Sequence, residues 1–335
     1  MKFILRDEAR ATERRTPITP DDTKALLAAG YEIAVEHSEK RIFTDVEYGA
    51  AGCTLIAPQS WLKAGNATVL GLKELPETPA QLTSPFIHFA HIYKDQTGWR
   101  KELARFTNGG GCLYDLEYLT INNRRTAAFG YWAGWMGAAL AAWRQLGGGP
   151  KGGVKSFESR VEVENILRNL ANHPRRAIVI GAKGRSGQGA VEALELAGYK
   201  VTGWDIEETR NLDRAALLEH DLLVNCVLMT RPGLRLLGPD DLGKGKLKMI
   251  SDVSCDPFSD FNPLPIYAAP TTWDVPFVDL GNGVELTAID NLPSLLPREA
   301  SIDFSAQLLK SLLHYPDGPE WQAARACFTA AQARA

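Results

Sequence analysis

Sulfur is scarce and unpatterned in this chain. Five cysteines, Cys53, Cys112, Cys226, Cys255 and Cys327, are scattered over 335 residues. Their number is odd and no two form a CxxC pair, which argues against a disulfide framework or a cysteine zinc site and favours a reducing compartment. The six histidines show no ligand spacing, so no metal is expected. Excess charge is missing too: 37 Lys+Arg against 40 Asp+Glu leave a net −3. That balance gives no bulk reason to bind nucleic acid or an anionic membrane. Met1 to Arg10 is charged throughout and has no apolar stretch of signal-peptide length, so the expected location is the cytoplasm. One uncharged stretch, Thr126 to Trp143, approaches the length of a bilayer crossing. It is mostly Ala, Gly and aromatic residues with a single leucine, a composition that suits close helix packing inside a protein better than lipid. Internal repeats and low-complexity tracts are absent.

What is present is an ordinary globular composition, 45% hydrophobic and 23% charged, long enough for two domains. Strand-like and helix-like segments alternate, the pattern of an α/β fold with parallel sheets. Phe3 to Leu5 is extended. Thr19-Pro20-Asp21-Asp22 offers an N-cap, a first-turn proline and acids, and Gly30 closes that helix before a strand at Tyr31 to Val35. Further strands are expected at Cys53 to Ala57, Thr68 to Lys73, Ile87 to Ile92 and Cys112 to Tyr114, with a helix near Gln96 to Phe106. Ala127 to Arg144 reads as a long buried helix ended by Gly147-Gly148-Gly149-Pro150. A polar helix near Phe157 to Leu170 leads to a second set of strands at Ala177 to Ile180, Lys200 to Gly203, Leu222 to Cys226 and Met249 to Val253. Ser301 to His314 and Glu320 to Ala333 are helical in pattern. The expected division is residues 1–130 with about 301–335 as one domain and about 131–300 as the other.

The strongest local motif is Ile178-Val-Ile-Gly181-Ala-Lys-Gly184-Arg185-Ser186-Gly187-Gln-Gly189, an apolar strand running into a glycine-rich turn and a helix at Ala190 to Leu196. Glycines let the backbone approach a pyrophosphate, and the helix presents free N–H groups to it. The spacing departs from a clean GxGxxG. Asp205, closing the next strand about twenty residues on, stands where a carboxylate bonds the adenosine ribose. A carboxylate there repels a 2′-phosphate, so NAD is expected over NADP, with Arg185 and Arg210 keeping the alternative open. In the first domain, Lys73 and His91 each follow an apolar run, where ligands bind outside the carboxyl ends of parallel strands. An imidazole titrates near neutrality and a desolvated lysine can be brought toward it, so both suit proton transfer.

Five segments carry a resemblance that spans nearly the whole chain. Gly71-Leu-Lys-Glu-Leu-Pro-Glu77, Phe89-Ala-His-Ile-Tyr-Lys-Asp-Gln96, Leu113-Tyr-Asp-Leu-Glu117, Arg124-Arg-Thr-Ala-Ala-Phe-Gly130 and Asp290-Asn-Leu-Pro-Ser-Leu-Leu-Pro-Arg-Glu-Ala-Ser301 resemble, in order, those of the fungal saccharopine dehydrogenase family. That family belongs with alanine dehydrogenase and transhydrogenase-type proteins. The resemblance implies two Rossmann-like domains, a substrate domain and an NAD-binding domain, with the active site in the cleft between them. It implies that Lys73 and His91 are the acid–base pair, without dividing their roles. Arg15, in Glu13-Arg-Arg-Thr-Pro-Ile-Thr-Pro20, and Arg125 match carboxylate binders, for which a guanidinium fork is suited. Lys94 and Gln96 match further substrate contacts, Glu74 and Glu117 match acids that moderate the lysine–histidine pair, Phe129 packs beside the substrate and Asp290 lies near the nicotinamide. Two departures stand out: Ser186 replaces a cysteine of the fungal turn, and the linker after the long helix is shorter.

The implied reaction is NAD-dependent oxidation of a secondary amine to an imine, followed by hydrolysis; for saccharopine the products are lysine and 2-oxoglutarate. Rivals are a related opine dehydrogenase with another amine or oxo acid, an amino-acid dehydrogenase of the alanine dehydrogenase type, and a catalytically silent nucleotide sensor. Partners beyond the small-molecule substrate, and the number of subunits, are not legible.

Overall fold

The computed structural model of the chain describes residues 1–93, 97–171, 175–229, 231 and 233–334. It divides into two compact units, Met1–Ala128 with Pro297–Ala335, and Phe129–Leu296. In the first unit, β1 (Lys2–Leu5), α1 (Pro20–Ala28), β2 (Glu32–Glu36), α2 (Asp45–Ala50), β3 (Thr54–Ile56), β4 (Thr68–Leu70), β5 (Pro85–His88), α3 (Trp99–Gly109) and β6 (Cys112–Asp115) follow one another. The strands form one six-stranded sheet ordered β3-β2-β1-β4-β5-β6. Every pairing is parallel. The chain order reverses at the β1–β4 boundary, so the strands' carboxyl ends open there on the position where such sheets bind ligands.

Local chemistry explains these elements. Thr19 caps α1 by accepting from the Asp22 amide at 3.3 Å. Helix α2, which sequence reading passed over, carries a reciprocal capping box between Thr44 and Glu47. A short hairpin, β7 (Thr120–Ile121) with β8 (Arg124–Arg125), also escaped that reading. Its turn residues Asn122 and Asn123 have φ of 50° and 59°, the left-handed pair that a two-residue hairpin loop demands and asparagine tolerates. The strands expected to run to Lys73 and to Ile92 stop at Leu70 and His88, because the chain then turns out of the sheet to polar partners.

The second unit starts with α4 (Gly130–Gly147) and α5 (Arg160–Leu170), then alternates β9 (Arg175–Ile180), α6 (Arg185–Leu196), β10 (Tyr199–Trp204), α7 (Ile206–Arg210), α8 (Arg214–Leu218), β11 (Leu222–Asn225), β12 (Met249–Asp252), β13 (Val278–Asp279) and β14 (Glu285–Thr287). Its sheet is ordered β10-β9-β11-β12-β14-β13. Only the edge strand β13 is antiparallel to its neighbour. Ala177 to Ile180 is fully buried, as expected of a central strand covered on both faces. The uncharged stretch has become α4, and its small residues admit α6: a Cβ on Gly134 would collide with the Ser186 carbonyl. Among the described residues, no helix is long and apolar enough to cross a membrane.

The chain rejoins the first unit through α9 (Pro297–Leu312) and α10 (Pro319–Gln332). Ser301 and Ser305 of α9 accept from the amides of Thr16 and Thr19, each at 2.9 Å, and so tie down the segment that follows Arg15. Trp321 of α10 lies edge-on to Tyr315 and Tyr114, with centroids 4.9 and 5.7 Å apart. Such edge-to-face pairs add to the burial term.

Replacing Gly134 with valine forces α4 from α6 and should destabilise the second unit by about 1–3 kcal/mol, the usual range for overpacking. The urea midpoint checks this, and a Gly134→Val chain that unfolds like the parent would refute the packing account.

Candidate active site

The site is built on the carboxyl ends of β1, β4, β5 and β6. Beyond β1, Arg6 and Glu8 form a buried ion pair of 2.9 Å. Glu8 accepts from the backbone amides of Leu72 and Lys73 at 2.6 and 3.0 Å. Arg6 donates to the carbonyls of Lys73 and Glu74. The pair thus satisfies the Leu72 and Lys73 amides and the Lys73 and Glu74 carbonyls, while the Gly71 amide and the Leu72 carbonyl still bond Ile87 and Phe89 of the neighbouring segment. Gly71 is required by this arrangement, since a Cβ there would run into the Arg6 guanidinium.

Lys73 is thereby held, half-buried, beside a second buried pair. Arg15 donates to Glu13 through Nε at 2.8 Å and through its terminal nitrogen at 2.7 Å, a bidentate fork. Burial would raise the Glu13 pKa, but the charge and hydrogen bonds of Arg15, with Lys73 beyond, bring it to about 2. For Lys73 the balance goes the other way: burial first, then the Arg15 charge, hold its ammonium below the ordinary lysine range, against the opposing pull of Glu13. Glu74 points outward and takes a bidentate bond from Arg10 at 2.7 and 2.9 Å.

His91 follows β5 by three residues, with φ of 55°, and stacks against Phe89 at 6.3 Å. Its Nδ1 lies 3.6 Å from Glu117, whose other oxygen accepts from Arg125 at 2.8 Å. Glu117 therefore bridges the imidazole and the guanidinium presented by the β7–β8 hairpin. The close approach of Glu117 is the largest reason that the His91 pKa stands above its ordinary value, although burial opposes it; the charges of Asp115 and Glu117 add to it. Asp115, fully buried at the end of β6, accepts from the Ala90 amide at 3.3 Å and from the Glu117 amide at 2.8 Å. One carboxylate thus joins the loop carrying His91 to the loop carrying Glu117. Burial raises its own pKa to about 6.

In the second unit the glycine-rich turn begins at Gly181, with φ of 80°, and Gly184 occupies the N-cap of α6 without a side-chain cap. The helix starts at Arg185, earlier than the expected Ala190, so Ser186 and Gly187 belong to its first turn. A Cβ on Gly187 would collide with the Gly181 carbonyl, which explains the glycine and leaves the turn open to an anion. Asp205 caps α7 and accepts from the amides of Ile206 at 2.9 Å and Lys183 at 3.1 Å. It lines a cavity of about 980 Å³ with Thr209, Arg210, Val227 and Leu228. Asp290 is exposed just ahead of Asn291, and Phe129 stands at the start of α4.

Lys73, Glu74, His91, Glu117, Arg15 and Arg125 all belong to the first unit. The turn Gly181, Gly184, Arg185, Ser186 and Gly187 belongs with Asp205 and Asp290 to the second, as does Phe129. Lys94 and Gln96 lie outside the described residues. Sequence reasoning missed Arg6, Glu8, Glu13 and Asp115 as parts of the site. The available signal was a charged residue directly after an apolar strand, and for Glu13 and Asp115 their place inside the quoted motifs.

The alanine dehydrogenase/PNT N-terminal domain family matches residues 4–136. The chain is 40% identical to saccharopine dehydrogenase [NAD(+), L-lysine-forming] of Yarrowia lipolytica, over 98% of this chain and 96% of that one. It is also 40% identical to the enzyme of the same name from Neurospora crassa, over 97% and 94%. Among solved structures it is similar to L-alanine dehydrogenase, with a TM-score of 0.72 and 17% identity over 98% of this chain and 94% of that one. That likeness concerns the fold, two Rossmann-like domains.

Because Glu117 holds the His91 pKa up, Glu117→Gln should lower it. The folded-state shift is upward, so this contact contributes stability below the ordinary histidine pKa and loses it as pH rises through the folded value. NMR titration of the imidazole checks both statements, and an unmoved or raised pKa in Glu117→Gln would contradict them.

Proposed function

The chain belongs to the lysine-forming, NAD-dependent saccharopine dehydrogenase family, and from that premise we propose that it cleaves saccharopine oxidatively to L-lysine and 2-oxoglutarate, reversibly. The observation that carries the reading is 40% identity over 98% of the chain. Lys73 and His91 complete it, because a catalytically silent relative would have no use for a desolvated lysine beside a carboxylate-tuned histidine. The first unit is the substrate domain and the second the NAD domain.

The residues present fit NAD. The glycine turn and the start of α6, which lacks a side-chain cap, suit the pyrophosphate, and Asp205 stands at the end of β10 where a carboxylate meets ribose hydroxyls. When bound, the nicotinamide supplies the hydride acceptor, and Asp290 is its neighbour in this reading. The chain's own task is to move protons. The secondary amine must lose its proton to a base as the C–H bond breaks and the imine forms. Water then adds its oxygen to the imine carbon as one of its protons is passed to the imine nitrogen, and the carbinolamine collapses as its hydroxyl gives up the second proton and the leaving nitrogen takes one. Lys73, shifted toward its neutral form, and His91, shifted toward its protonated form, share these transfers.

Arg15 and Arg125 hold substrate carboxylates, with Lys94 and Gln96 as further contacts and Phe129 packed beside the substrate. Glu13, Glu74 and Glu117 set the charge around the pair. The free cysteines fit a reducing compartment, which we take to be the cytoplasm.

The test follows NADH absorbance with 2-oxoglutarate and a panel of amines. Oxidation should require lysine, and Lys73→Met and His91→Gln should each lower the rate by roughly 10²–10⁴-fold, the span of a lost acid–base group. Turnover with ornithine or alanine in place of lysine would change the substrate assignment, and turnover undiminished in both variants would remove them from the mechanism.

A further inference from the structure

Asp252, the last residue of β12, is 0% exposed, and no lysine, arginine or histidine among the described residues pairs with it. Its partners are neutral. Oδ1 accepts from Asn225 Nδ2 at 3.0 Å, from the Ser254 amide and hydroxyl at 3.1 and 2.6 Å and from the Cys255 amide at 3.4 Å. Oδ2 accepts from the Tyr267 hydroxyl at 2.8 Å. Asp252 is the acceptor in every bond, which is the pattern of an ionised carboxylate. A buried charge answered by neutral dipoles alone is costly, and a cation brought by a ligand relieves that cost.

The place of Asp252 in the sheet says which ligand. In the NAD reading above, Asp205 at the end of β10 meets the adenosine ribose and the glycine turn after β9 meets the pyrophosphate. With the sheet ordered β10-β9-β11-β12, the other half of the dinucleotide falls over the ends of β11 and β12. Contacts run the same way. A Cβ on Gly181 would meet Val227 at 2.9 Å, the Val227 amide donates to Asn225 Oδ1 at 3.1 Å, and Asn225 donates on to Asp252. Val227 also walls the cavity that contains Asp205. Burial first, then the charges of Asp290, Asp252 and Asp256, push the Cys255 thiol up to about 12, so the field at this end of the sheet is negative. The nicotinamide ring carries the only positive charge of the dinucleotide, and carries it only when oxidised.

We propose that Asp252 determines the oxidation-state preference of the cofactor site: its carboxylate is the counter-charge that favours NAD⁺ over NADH in the second unit. The proposal rests on the NAD reading. A carboxylate that holds the oxidised ring also makes the bound reduced cofactor the stronger hydride donor, because giving up the hydride restores the charge that the site favours.

Asp252→Asn removes the charge and keeps the shape. Its amide nitrogen takes the place of Oδ2 and donates to the Tyr267 hydroxyl, while its oxygen keeps the bonds from Asn225 and Ser254. NADH fluorescence reports binding to the full chain, with NAD⁺ and ADP-ribose, which lacks the ring, as competitors. NAD⁺ should bind Asp252→Asn roughly tenfold more weakly, the order expected of a unit charge acting across a partly shielded site, while NADH and ADP-ribose keep the parental affinities. Ser254→Lys sets an ammonium beside the carboxylate from a half-buried position and should shift the NAD⁺ to NADH ratio the same way; it decides the matter alone if Asp252→Asn does not fold. Affinities for NAD⁺ and NADH that fall together, or a ratio unmoved in either folded variant, would overturn the proposal. A parent chain that binds none of the three ligands would overturn the NAD reading instead, and this proposal with it.

Discussion

The Arg6–Glu8 ion pair is the contact on which the first unit's chemistry depends. β1 and β4 run side by side, Leu5 opposite Leu70, and both end where the sheet's order reverses. A chain leaving such a sheet carries backbone groups with no strand to pair with, in a place too buried for water. One carboxylate answers the amides of Leu72 and Lys73, and one guanidinium answers the carbonyls of Lys73 and Glu74. Removing either partner would leave the other charge buried, a loss of about 3–5 kcal/mol. The position of the Lys73 side chain is thus fixed through its backbone, without engaging its amine.

Around that anchor, burial and charge act on the two candidate acid–base groups in opposite senses. Lys73 is pushed down from the ordinary lysine value and His91 up from the ordinary histidine value. The displacements converge, which is what two groups need if they are to exchange protons with one substrate at one pH. The convergence has structural causes that do not touch the reacting atoms. Arg15 is buried with Glu13 at its back, and Asp115 sits beneath the loops of His91 and Glu117. The carboxylates shape the electrostatics, while the sheet and the loops set the distances.

Much of this was legible in the sequence, for identifiable reasons. Central strands such as Ala177 to Ile180 announce themselves as short apolar runs because both faces are covered, and Thr19-Pro20 announces a helix because capping is local chemistry. Lys73 and His91 stood out as polar residues following such runs. Strand ends were misjudged, since apolar character continues into Gly71-Leu72 and Phe89-Ala90, where only the bonds from Gly71 to Ile87 and from Phe89 to Leu72 persist after the regular strands end. What stops those strands is the non-local demand of Glu8 and Asp115, which no window of neighbouring residues contains. The Asn122–Asn123 hairpin was missed because its strands are two residues each, too short to show alternation. Glu13 and Asp115 carried no role in the sequence; only the fold reveals that each is buried against a specific partner.

The uncharged helix α4 shows how one sequence feature can be read two ways until its neighbour is known. A run of Ala, Gly and aromatic residues is compatible with lipid by charge alone, yet its small residues are spent on a protein neighbour. Gly134 receives the Ser186 carbonyl, and on the facing helix a Cβ on Gly189 would strike the Tyr131 carbonyl. These are reciprocal close approaches, one glycine on each helix accepting the other's backbone. Their consequence is positional: α6 begins in the nucleotide turn, so a helix held this tightly against α4 holds the turn as well. Ser186 sits in that seam, its Oγ close to where a Gly130 Cβ would stand. Ser186 therefore lies at the contact that orients the turn, and its small hydroxyl fits there without opening the helices.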